Sequence, residues 1–183
     1  NKIDIYDEEL VSEVNELIDI YTRIGYACYK ASALKKQNID TITNLMKDKV
    51  NLVCGNSGVG KSTLINSIDP AFNLKVGRIS SHHQKGTHTT TFAEMIELSN
   101  GGYIIDTPGL KSFGIYDLKK EELSHRFPEM RALLDDCKFH NCQHINEPNC
   151  AVIEALKKGE IAKLRYRNYL DIYNSEEDED YRK

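Results

Sequence analysis

One octapeptide near the middle of the chain constrains its fold more than any other feature. Residues 55–62, with the letters GNSGVGKS, match the pattern G-x-x-x-x-G-K-[ST]. Residues 51–54 before it, with the letters NLVC, predict a buried strand, and the residues after it have helical spacing. Glycines in such a turn let the backbone N–H groups point inward around phosphate oxygens. The sequence therefore predicts a P-loop α/β domain that binds a nucleotide.

Each part of this loop has an expected role toward the phosphates. Lys61 can reach the β- and γ-phosphates, and the Ser62 hydroxyl can ligate Mg²⁺. The amino end of the following helix adds a favourable field for an anion. The residues predicted to contact the nucleotide here are Gly55, Asn56, Ser57, Gly58, Val59, Gly60, Lys61, Ser62 and Thr63.

The choice of base depends on two short segments before the loop. The chain opens with NKID, which has the form N-K-x-D. A carboxylate at Asp4 can accept from two neighbouring guanine N–H donors, which adenine does not offer. Lys2 can lie along the base plane and Asn1 can brace the loop, while Ser32 and Ala33 match the S-A motif that meets the guanine O6. Together with the phosphate loop, these segments favour GTP over ATP and disfavour an ATP-dependent kinase.

A further motif, D-x-x-G, runs from Asp106 to Gly109 after an apolar strand. In GTPases this Asp holds Mg²⁺ through water and the Gly N–H contacts the γ-phosphate. The order of the motifs is unusual, because the base-reading motifs come before the phosphate loop. A circular permutation explains the order, since chain ends lie close together at the surface of most domains.

Composition excludes several other classes of protein. The 183 residues carry a net charge of −4, whereas a domain that holds nucleic acid by charge alone is strongly basic. No apolar run reaches the roughly 18 residues that span a bilayer. The five cysteines are an odd number and suit a reducing cytoplasm rather than a disulfide framework. Because the chain lacks an initiator Met and opens inside a motif, we expect a fragment of a longer protein.

Hydrophobic periodicity gives a coarse secondary structure. It predicts a helix over 7–22 capped by Asp7, a strand over 26–31, and a second helix capped by Asn38. A strand over 92–98 and a hairpin at 100–102 follow, and the chain is helical beyond about residue 116. Cys28 and Cys54 fall in apolar segments and are expected in the core. The predicted domains are 1–116, the α/β nucleotide domain, and 117–183, a small helical domain.

A group of Cys and His residues lies within the predicted helical part. Cys137, Cys142, His144 and Cys150 have the spacing C-x4-C-x-H-x5-C, and His140 is an alternative to His144. Three thiolates and an imidazole form a closed tetrahedral set suited to one structural Zn²⁺. All four positions are filled, so the predicted role is structural. Metal binding there would tie the terminal helices to one another.

The rotated motif order, the segment GTHTTT at 86–91 and this Cys/His group together resemble the RsgA family, also called YjeQ or YloQ, of ribosome small-subunit-dependent GTPases. The resemblance covers essentially the whole chain. It implies a circularly permuted P-loop NTPase three-layer fold with a C-terminal α-helical zinc domain, and an N-terminal OB-fold domain that is absent here. It also implies binding to the small ribosomal subunit and its 16S rRNA late in maturation, with GTP hydrolysis stimulated by that subunit.

The resemblance also assigns candidate residues for the chemistry. One Thr of 89–91 completes the Mg²⁺ shell beside Ser62 and Asp106, and Thr90 is favoured by position. Small GTPases place a Gln after D-x-x-G to orient water, but Leu110 stands here. The resemblance points to His88 instead, because a neutral imidazole can orient or deprotonate water. Lys61 stabilises the charge of the transferring phosphoryl group.

The sequence thus predicts a monomeric GTPase that binds GTP and GDP, contacts no membrane and assists maturation of the small subunit. Two alternatives stay open: a permuted GTPase acting on another assembly, and a nucleotide-gated ribosome-binding module whose hydrolysis is incidental. A basic cluster in the terminal helices is a candidate rRNA-binding face or an ordinary solvated face. Its members are Lys157, Lys158, Lys163, Arg165 and Arg167.

Overall fold

A computed structural model describes residues 1–56, 58–72, 94–106 and 119–175 of the chain. They belong to two compact units. The first unit comprises Asn1–Ile18 and Ala27–Gly114, and the second comprises Asp19–Tyr26 and Ile115–Lys183. The predicted boundary between residues 116 and 117 lies outside the described residues and stays a prediction.

A three-stranded sheet is the centre of the first unit. Strands β1 (Val50–Leu52), β2 (Glu94–Glu97) and β3 (Tyr103–Asp106) have the spatial order β1-β3-β2. β1 runs parallel to β3, and β2 pairs with β3 in antiparallel register. The predicted hairpin at 100–102 is confirmed, because this turn joins β2 to β3. β1 comes shortly before the phosphate loop, but it spans Val50–Leu52 and both end residues are exposed, whereas the sequence predicted a buried strand over 51–54.

Three helices accompany the sheet. α1 (Glu8–Arg23) begins after Asp7, whose Oδ1 accepts the backbone N–H of Leu10 at 2.9 Å, so the predicted helix and its cap are confirmed. α2 is Ile39–Met46, and α3 is Lys61–Ile68 directly after the phosphate loop. Short 3-10 helices occupy Ile3–Ile5 and Pro70–Phe72.

The core of the first unit lies between α2, α3 and one face of the sheet. Met46 of α2 and Ile65 of α3 pack with Ile104 of the central strand. Successive strand residues point to opposite faces, so the buried Ile104 is flanked by residues that face the other way. The packing fixes the start of α3 at the carboxyl end of β1. Further buried residues of this unit are Ala31, Ala33, Ile39 and Leu98.

Three local predictions were wrong. Residues 26–31 form no strand, and only Ser32 and Gln37 make an isolated bridge nearby, because no neighbouring strand pairs with this segment among the described residues. Asn38 precedes α2 but does not cap it, since its Nδ2 donates to the Lys30 carbonyl at 2.9 Å. Cys54 is exposed rather than in the core, because β1 ends at Leu52, and Cys28 is half-buried.

The second unit is helical, as predicted. A 3-10 turn at Lys120–Arg126 precedes α4 (Pro128–Arg131), and a second 3-10 turn at Leu134–Asp136 precedes α5 (Ala151–Lys158) and α6 (Lys163–Asn174). The fully buried ring of Tyr169 meets Phe127 edge to face at 5.5 Å between centroids. Other members of this core are Leu123, Met130, Cys150, Val152, Ala155 and Ile161. Within the described part of the chain, none of the helices has both the length and the apolar character needed to cross a bilayer.

A buried carboxylate joins the end of α3 to the β2–β3 turn. Asp69 is 4% exposed, and it accepts the backbone N–H of Ser99 at 2.7 Å and that of Ala71 at 3.0 Å. The bond from Ser99, opposed by burial and aided by Ala71, holds the pKa of Asp69 below its ordinary value. A carboxylate bound in this way loses its stabilising effect when it is protonated.

We therefore expect Asp69→Asn to lower the free energy of unfolding at neutral pH by about 1–3 kcal/mol. The folded-state pKa of Asp69 is lower than that of an unfolded Asp, which is about 4. The carboxylate therefore adds its full share to the free energy of unfolding above about pH 4, and this share is lost as the pH falls through the folded-state pKa. Urea unfolding at a series of acidic pH values measures this, with the exposed Asp40→Asn as the control. If the free energy of unfolding fell equally with pH in wild type and in Asp69→Asn, the proposed contribution of the carboxylate would be contradicted.

Candidate functional site

The first residues of the chain lie against the phosphate loop. The Asn1 Nδ2 donates to the Val59 and Gly60 carbonyls at 3.2 and 3.3 Å. The Lys2 Nζ donates to the Gly58 carbonyl at 2.7 Å, which extends the aliphatic stem of Lys2 along the loop. Two of the base-motif residues thus connect directly to the loop, although 56 to 59 positions separate them in the sequence.

The same segment also holds the S-A motif. The Asn1 Oδ1 accepts the backbone N–H of Ala33 at 3.0 Å, so one side chain bonds both to this motif and to the phosphate loop. The Ser32 hydroxyl donates to the Asp4 Oδ1 in a short hydrogen bond. Ser32 is fully buried, and its Oγ accepts the N–H of Lys35 at 3.0 Å. The Asp4 carboxylate is therefore held in one orientation.

These contacts surround a cavity of about 270 Å³ in the first unit. Its walls come from the opening segment, the S-A motif and the start of α3, three parts of the chain that are distant in sequence. Three lining residues, Ile5, Ala33 and Leu34, have apolar side chains, which suit the faces of a flat ring system. Asp4 supplies a carboxylate. The lining residues are Asn1, Lys2, Asp4, Ile5, Ala33, Leu34, Gly60 and Thr63.

The Lys61 side chain lies against the backbone of the phosphate loop. The Lys61 Nζ donates to the Gly55 carbonyl and, at 2.8 Å, to the Asn56 carbonyl, so the ammonium lies inside the loop. Ser62 and Thr63 stand in the first turn of α3, whose free N–H groups favour an anion. The loop and the cavity are adjacent because Gly60 belongs to both.

Gly60 is the position where this arrangement depends most on glycine. Its φ is 92°, and an added Cβ would lie 2.6 Å from the Asn1 Nδ2. We expect Gly60→Ala to displace Asn1 and to lower nucleotide affinity by about tenfold or more, the equivalent of one or two hydrogen bonds. Gly25→Ala is the matched control, since its φ is 96° and nothing lies within 4 Å of its Cβ. Isothermal titration with GDP measures both, and equal affinities for the two variants would refute this role.

Several predicted site residues lie outside the described residues. They are Ser57 of the phosphate loop, His88 and Thr90 of the Thr-rich segment, and Gly109 of the D-x-x-G motif. Asp106 is the last residue of β3, next to β1 in the sheet. Since β1 leads into the phosphate loop, the backbone of both strands leads toward the same edge of the sheet.

The four predicted metal ligands come together in the second unit. Their ligand atoms all lie within 4.8 Å of one another. The His144 Nδ1 is 3.3 Å from the Cys150 Sγ and 3.6 Å from the Cys137 Sγ, and those two sulfurs are 4.0 Å apart. Ligands around a tetrahedral Zn²⁺ are about 3.5–3.8 Å apart, given Zn–S and Zn–N bonds of about 2.3 and 2.0 Å. The set of Cys137, Cys142, His144 and Cys150 could therefore hold a metal ion, while His140 is exposed and outside it.

Burial controls the protonation of these ligands. Burial, together with the neighbouring Cys150 and Cys137, raises the pKa of Cys142 to about 12. It also raises the pKa of the Cys150 thiol and lowers the pKa of His144, which keeps the imidazole neutral. A metal ion must displace protons from the thiols, so its binding weakens as the pH falls.

Two aromatic residues of α6 support the metal ligands, and the sequence analysis did not predict them. The Tyr166 hydroxyl donates to the His144 carbonyl at 2.7 Å, and the Tyr169 hydroxyl donates to the Gln143 carbonyl at 2.8 Å. Their only sequence signal is helical spacing on a buried face, which also describes an ordinary core. The bonds join α6 to the loop that carries His144.

The predicted basic face is smaller than expected. Arg165 forms an ion pair with Glu129, with 2.7 Å between Nε and Oε1, and its guanidinium stacks 4.6 Å from the Phe127 ring centre. Its side chain is 11% exposed, because these partners hold it against the core of the second unit. The exposed members are Lys157, Lys158, Lys163 and Arg167.

A phosphate loop, an adjacent base cavity with a carboxylate, and motifs in rotated order define the class of circularly permuted P-loop GTPases. Two solved structures agree. The crystal structure of YjeQ from Thermotoga maritima is similar with a TM-score of 0.78 and 38% identity, over 94% of this chain and 56% of that one. YloQ, described as a circularly permuted GTPase, is similar with a TM-score of 0.72 and 34% identity, over 94% and 53%. The predicted fold class is confirmed.

The sequence comparisons give the family. The RsgA GTPase family model matches residues 1–116, and the chain belongs to this family. The "Small ribosomal subunit biogenesis GTPase RsgA 2" of Bacteroides thetaiotaomicron is 48% identical over 182 residues, which cover 100% of this chain and 59% of the relative. The "Small ribosomal subunit biogenesis GTPase RsgA" of Flavobacterium psychrophilum is 50% identical over 182 residues, which cover 100% of this chain and 56% of the relative. The chain thus spans somewhat more than half the length of these relatives.

Proposed function

We propose that this chain binds GTP with Mg²⁺, hydrolyses it to GDP and phosphate, and thereby assists late maturation of the small ribosomal subunit. The observation that carries the proposal is the side chain of Asn1, which bonds to the phosphate loop at Gly60 and to the S-A motif at Ala33. Phosphate binding and base recognition are thereby joined in one site. The names of the relatives supply the ribosomal part of the proposal.

In the proposed site, Asp4 accepts from the guanine N–H donors and the Ala33 N–H meets O6. Lys61 and the loop N–H groups stabilise charge on the phosphates, so that catalysis is positioning and electrostatics. Mg²⁺ would be held by Ser62, by one Thr of 89–91, for which we favour Thr90, and by Asp106 through water. The Gly109 N–H contacts the γ-phosphate.

For the second unit we propose one structural Zn²⁺ on Cys137, Cys142, His144 and Cys150. The chemistry of three thiols and a neutral imidazole suits Zn²⁺ better than hard cations, which prefer oxygen ligands. We further propose a monomer in the cytoplasm, where free thiols persist. The four exposed basic residues near α5 and α6 are the proposed contact with 16S rRNA.

The experiment that tests the function is GTP turnover with and without purified small ribosomal subunits, on this chain and on the full-length protein. We expect slow intrinsic turnover, since no Arg finger or Gln is evident, and clear stimulation by the subunits. Absence of hydrolysis with both proteins would overturn the enzymatic proposal. Subunit binding that differs among GDP, GTP and a non-hydrolysable analogue, without stimulated turnover, would instead favour the nucleotide-gated binding module.

Within that assay, His88→Ala tests the proposed water-orienting residue. A general base contributes about 100- to 10,000-fold, so we expect stimulated turnover to fall by about 100-fold or more while GTP affinity is kept. His83→Ala in the same segment is the matched control. Wild-type turnover in His88→Ala would remove this residue from the mechanism.

A further inference from the structure

The loop that carries His144 contains an unusual anion site filled by its own chain. The Glu147 carboxylate accepts three backbone N–H groups, those of Gln143 at 2.8 Å, Ile145 at 2.9 Å and Asn146 at 3.1 Å. Neighbouring N–H groups that converge, here with the consecutive pair of Ile145 and Asn146, form a nest, which binds an anion. In this loop the anion is the side chain of Glu147, which therefore stabilises the backbone of the turn.

The turn needs such support because His144 has a left-handed backbone. Its φ is 57°, in the left-handed region that residues other than Gly adopt uncommonly, although His, Asn and Asp do so more often than the rest. That conformation accompanies the approach of the imidazole to the sulfurs of Cys137 and Cys150. Without the carboxylate, the N–H groups of Gln143, Ile145 and Asn146 would lose their common acceptor, and the turn would be held less firmly.

The carbonyl groups on either side of the His144 side chain are held from α6. Tyr166 and Tyr169 donate to the carbonyls of His144 and Gln143, as described above. Of the two peptide groups that flank His144, the one after it is held at both ends, by Glu147 through the Ile145 N–H and by Tyr166 through the His144 carbonyl. The one before it is held by Tyr169 through the Gln143 carbonyl.

The imidazole itself has no comparable support. Its Nε2 is buried and has no hydrogen-bond partner in the described part of the chain. Metal-binding histidines usually donate this second N–H to a carboxylate or carbonyl that orients the ring. In this loop no such hydrogen bond orients the ring, so the backbone beside His144 has a larger part in placing it.

We propose that Glu147 is a positioning residue of the metal site, which holds the left-handed turn that brings His144 into the ligand set, with Tyr166 and Tyr169 completing the hold from α6. The inference rests on the metal site proposed above. Glu147 does not contact the metal; it acts through the backbone of His144. Its loss would leave three thiolates and a poorly placed imidazole.

The test is Co²⁺ and Zn²⁺ binding to wild type, Glu147→Gln and Tyr169→Phe, with the exposed Glu154→Gln as the matched control. Co²⁺ absorption reports the ligand set directly, and competition with a chelator gives the affinity. We expect Glu147→Gln to weaken binding by about 10- to 100-fold and to shift the Co²⁺ bands toward a site with three sulfurs and water. Tyr169→Phe should weaken binding less, and Glu154→Gln should match wild type.

The outcomes separate the two proposals. The Co²⁺ absorption spectrum is recorded at saturating Co²⁺. A variant that folds only when metal is bound therefore still gives a spectrum. If wild type binds no metal, the metal site itself is wrong. If wild type binds one Co²⁺ with three sulfurs and one nitrogen, and Glu147→Gln has the same spectrum and affinity, the positioning role is overturned. Recovery of the wild-type bands by added imidazole in Glu147→Gln would support it.

Discussion

Asp4→Asn is expected to lower GTP affinity by about 100- to 1,000-fold, equivalent to about 3–4 kcal/mol, and to give the chain affinity for xanthosine triphosphate. The wild-type carboxylate offers acceptors to both guanine N–H groups. An amide replaces one acceptor with an N–H donor, which faces a guanine donor but matches the carbonyl at the same position of xanthine. The Ser32 hydroxyl, which donates to Asp4, can donate equally to the amide oxygen, so the side chain keeps its place.

Competition of GTP, ATP and xanthosine triphosphate against a labelled nucleotide measures this exchange. Asp40→Asn makes the same chemical change on an exposed residue of α2 and should bind like wild type. If Asp4→Asn kept GTP affinity, or if wild type bound ATP as well as GTP, the carboxylate would not read the base. A general loss without affinity for xanthosine triphosphate would indicate that the substitution had disturbed the pocket instead.

Cys142→Ser is expected to abolish stoichiometric zinc binding and to unfold much of the second unit. Structural zinc supplies about 10–16 kcal/mol of apparent binding free energy at neutral pH, and that energy is available only to the folded chain. A serine hydroxyl does not ionise to ligate zinc, and the thiols that remain in the set are the half-buried Cys137 and the buried Cys150. We expect a loss of stability on the order of 5 kcal/mol or more, a large part of the total for a unit of this size.

Metal content of the purified protein, together with thermal unfolding followed by circular dichroism, measures this effect. Cys54→Ser is the matched control, because the same atom is exchanged at an exposed thiol of the first unit. A chelator should reproduce the loss in wild type, and more readily at lower pH because protons compete for the thiols. A Cys142→Ser protein that retained one zinc and wild-type melting would exclude the site.

Motifs whose chemistry depends on residue type at fixed spacing could be predicted from the sequence. The phosphate loop was one, because only glycine tolerates the backbone at Gly60 and only Lys61 reaches into the loop. The four Cys and His residues were another, and the structure brings their ligand atoms together. The helix after Asp7 followed from periodicity and a cap.

Features that depend on distant partners could not be predicted. Residues 26–31 read as a strand by composition, but a strand needs a neighbour, and hydrophobicity does not reveal whether one is present. Arg165 looked like a member of a basic face, yet Glu129 and Phe127, more than 30 positions away, hold it against the core. Glu147 resembles any surface glutamate until the turn around His144 brings three N–H groups to it.

The hydrogen bonds of Asn1 have a consequence for the order of folding. They connect positions 58 and 59 residues apart, so the base cavity and the phosphate loop can meet only after a long segment has closed and its entropy has been lost. A nucleotide that contacts both halves binds the native chain and not the unfolded one. At a concentration 100 times its dissociation constant it adds about 2.7 kcal/mol of stability. GTP would then act as a folding clamp as well as a substrate, so the nucleotide supply would influence how long the chain survives proteolysis.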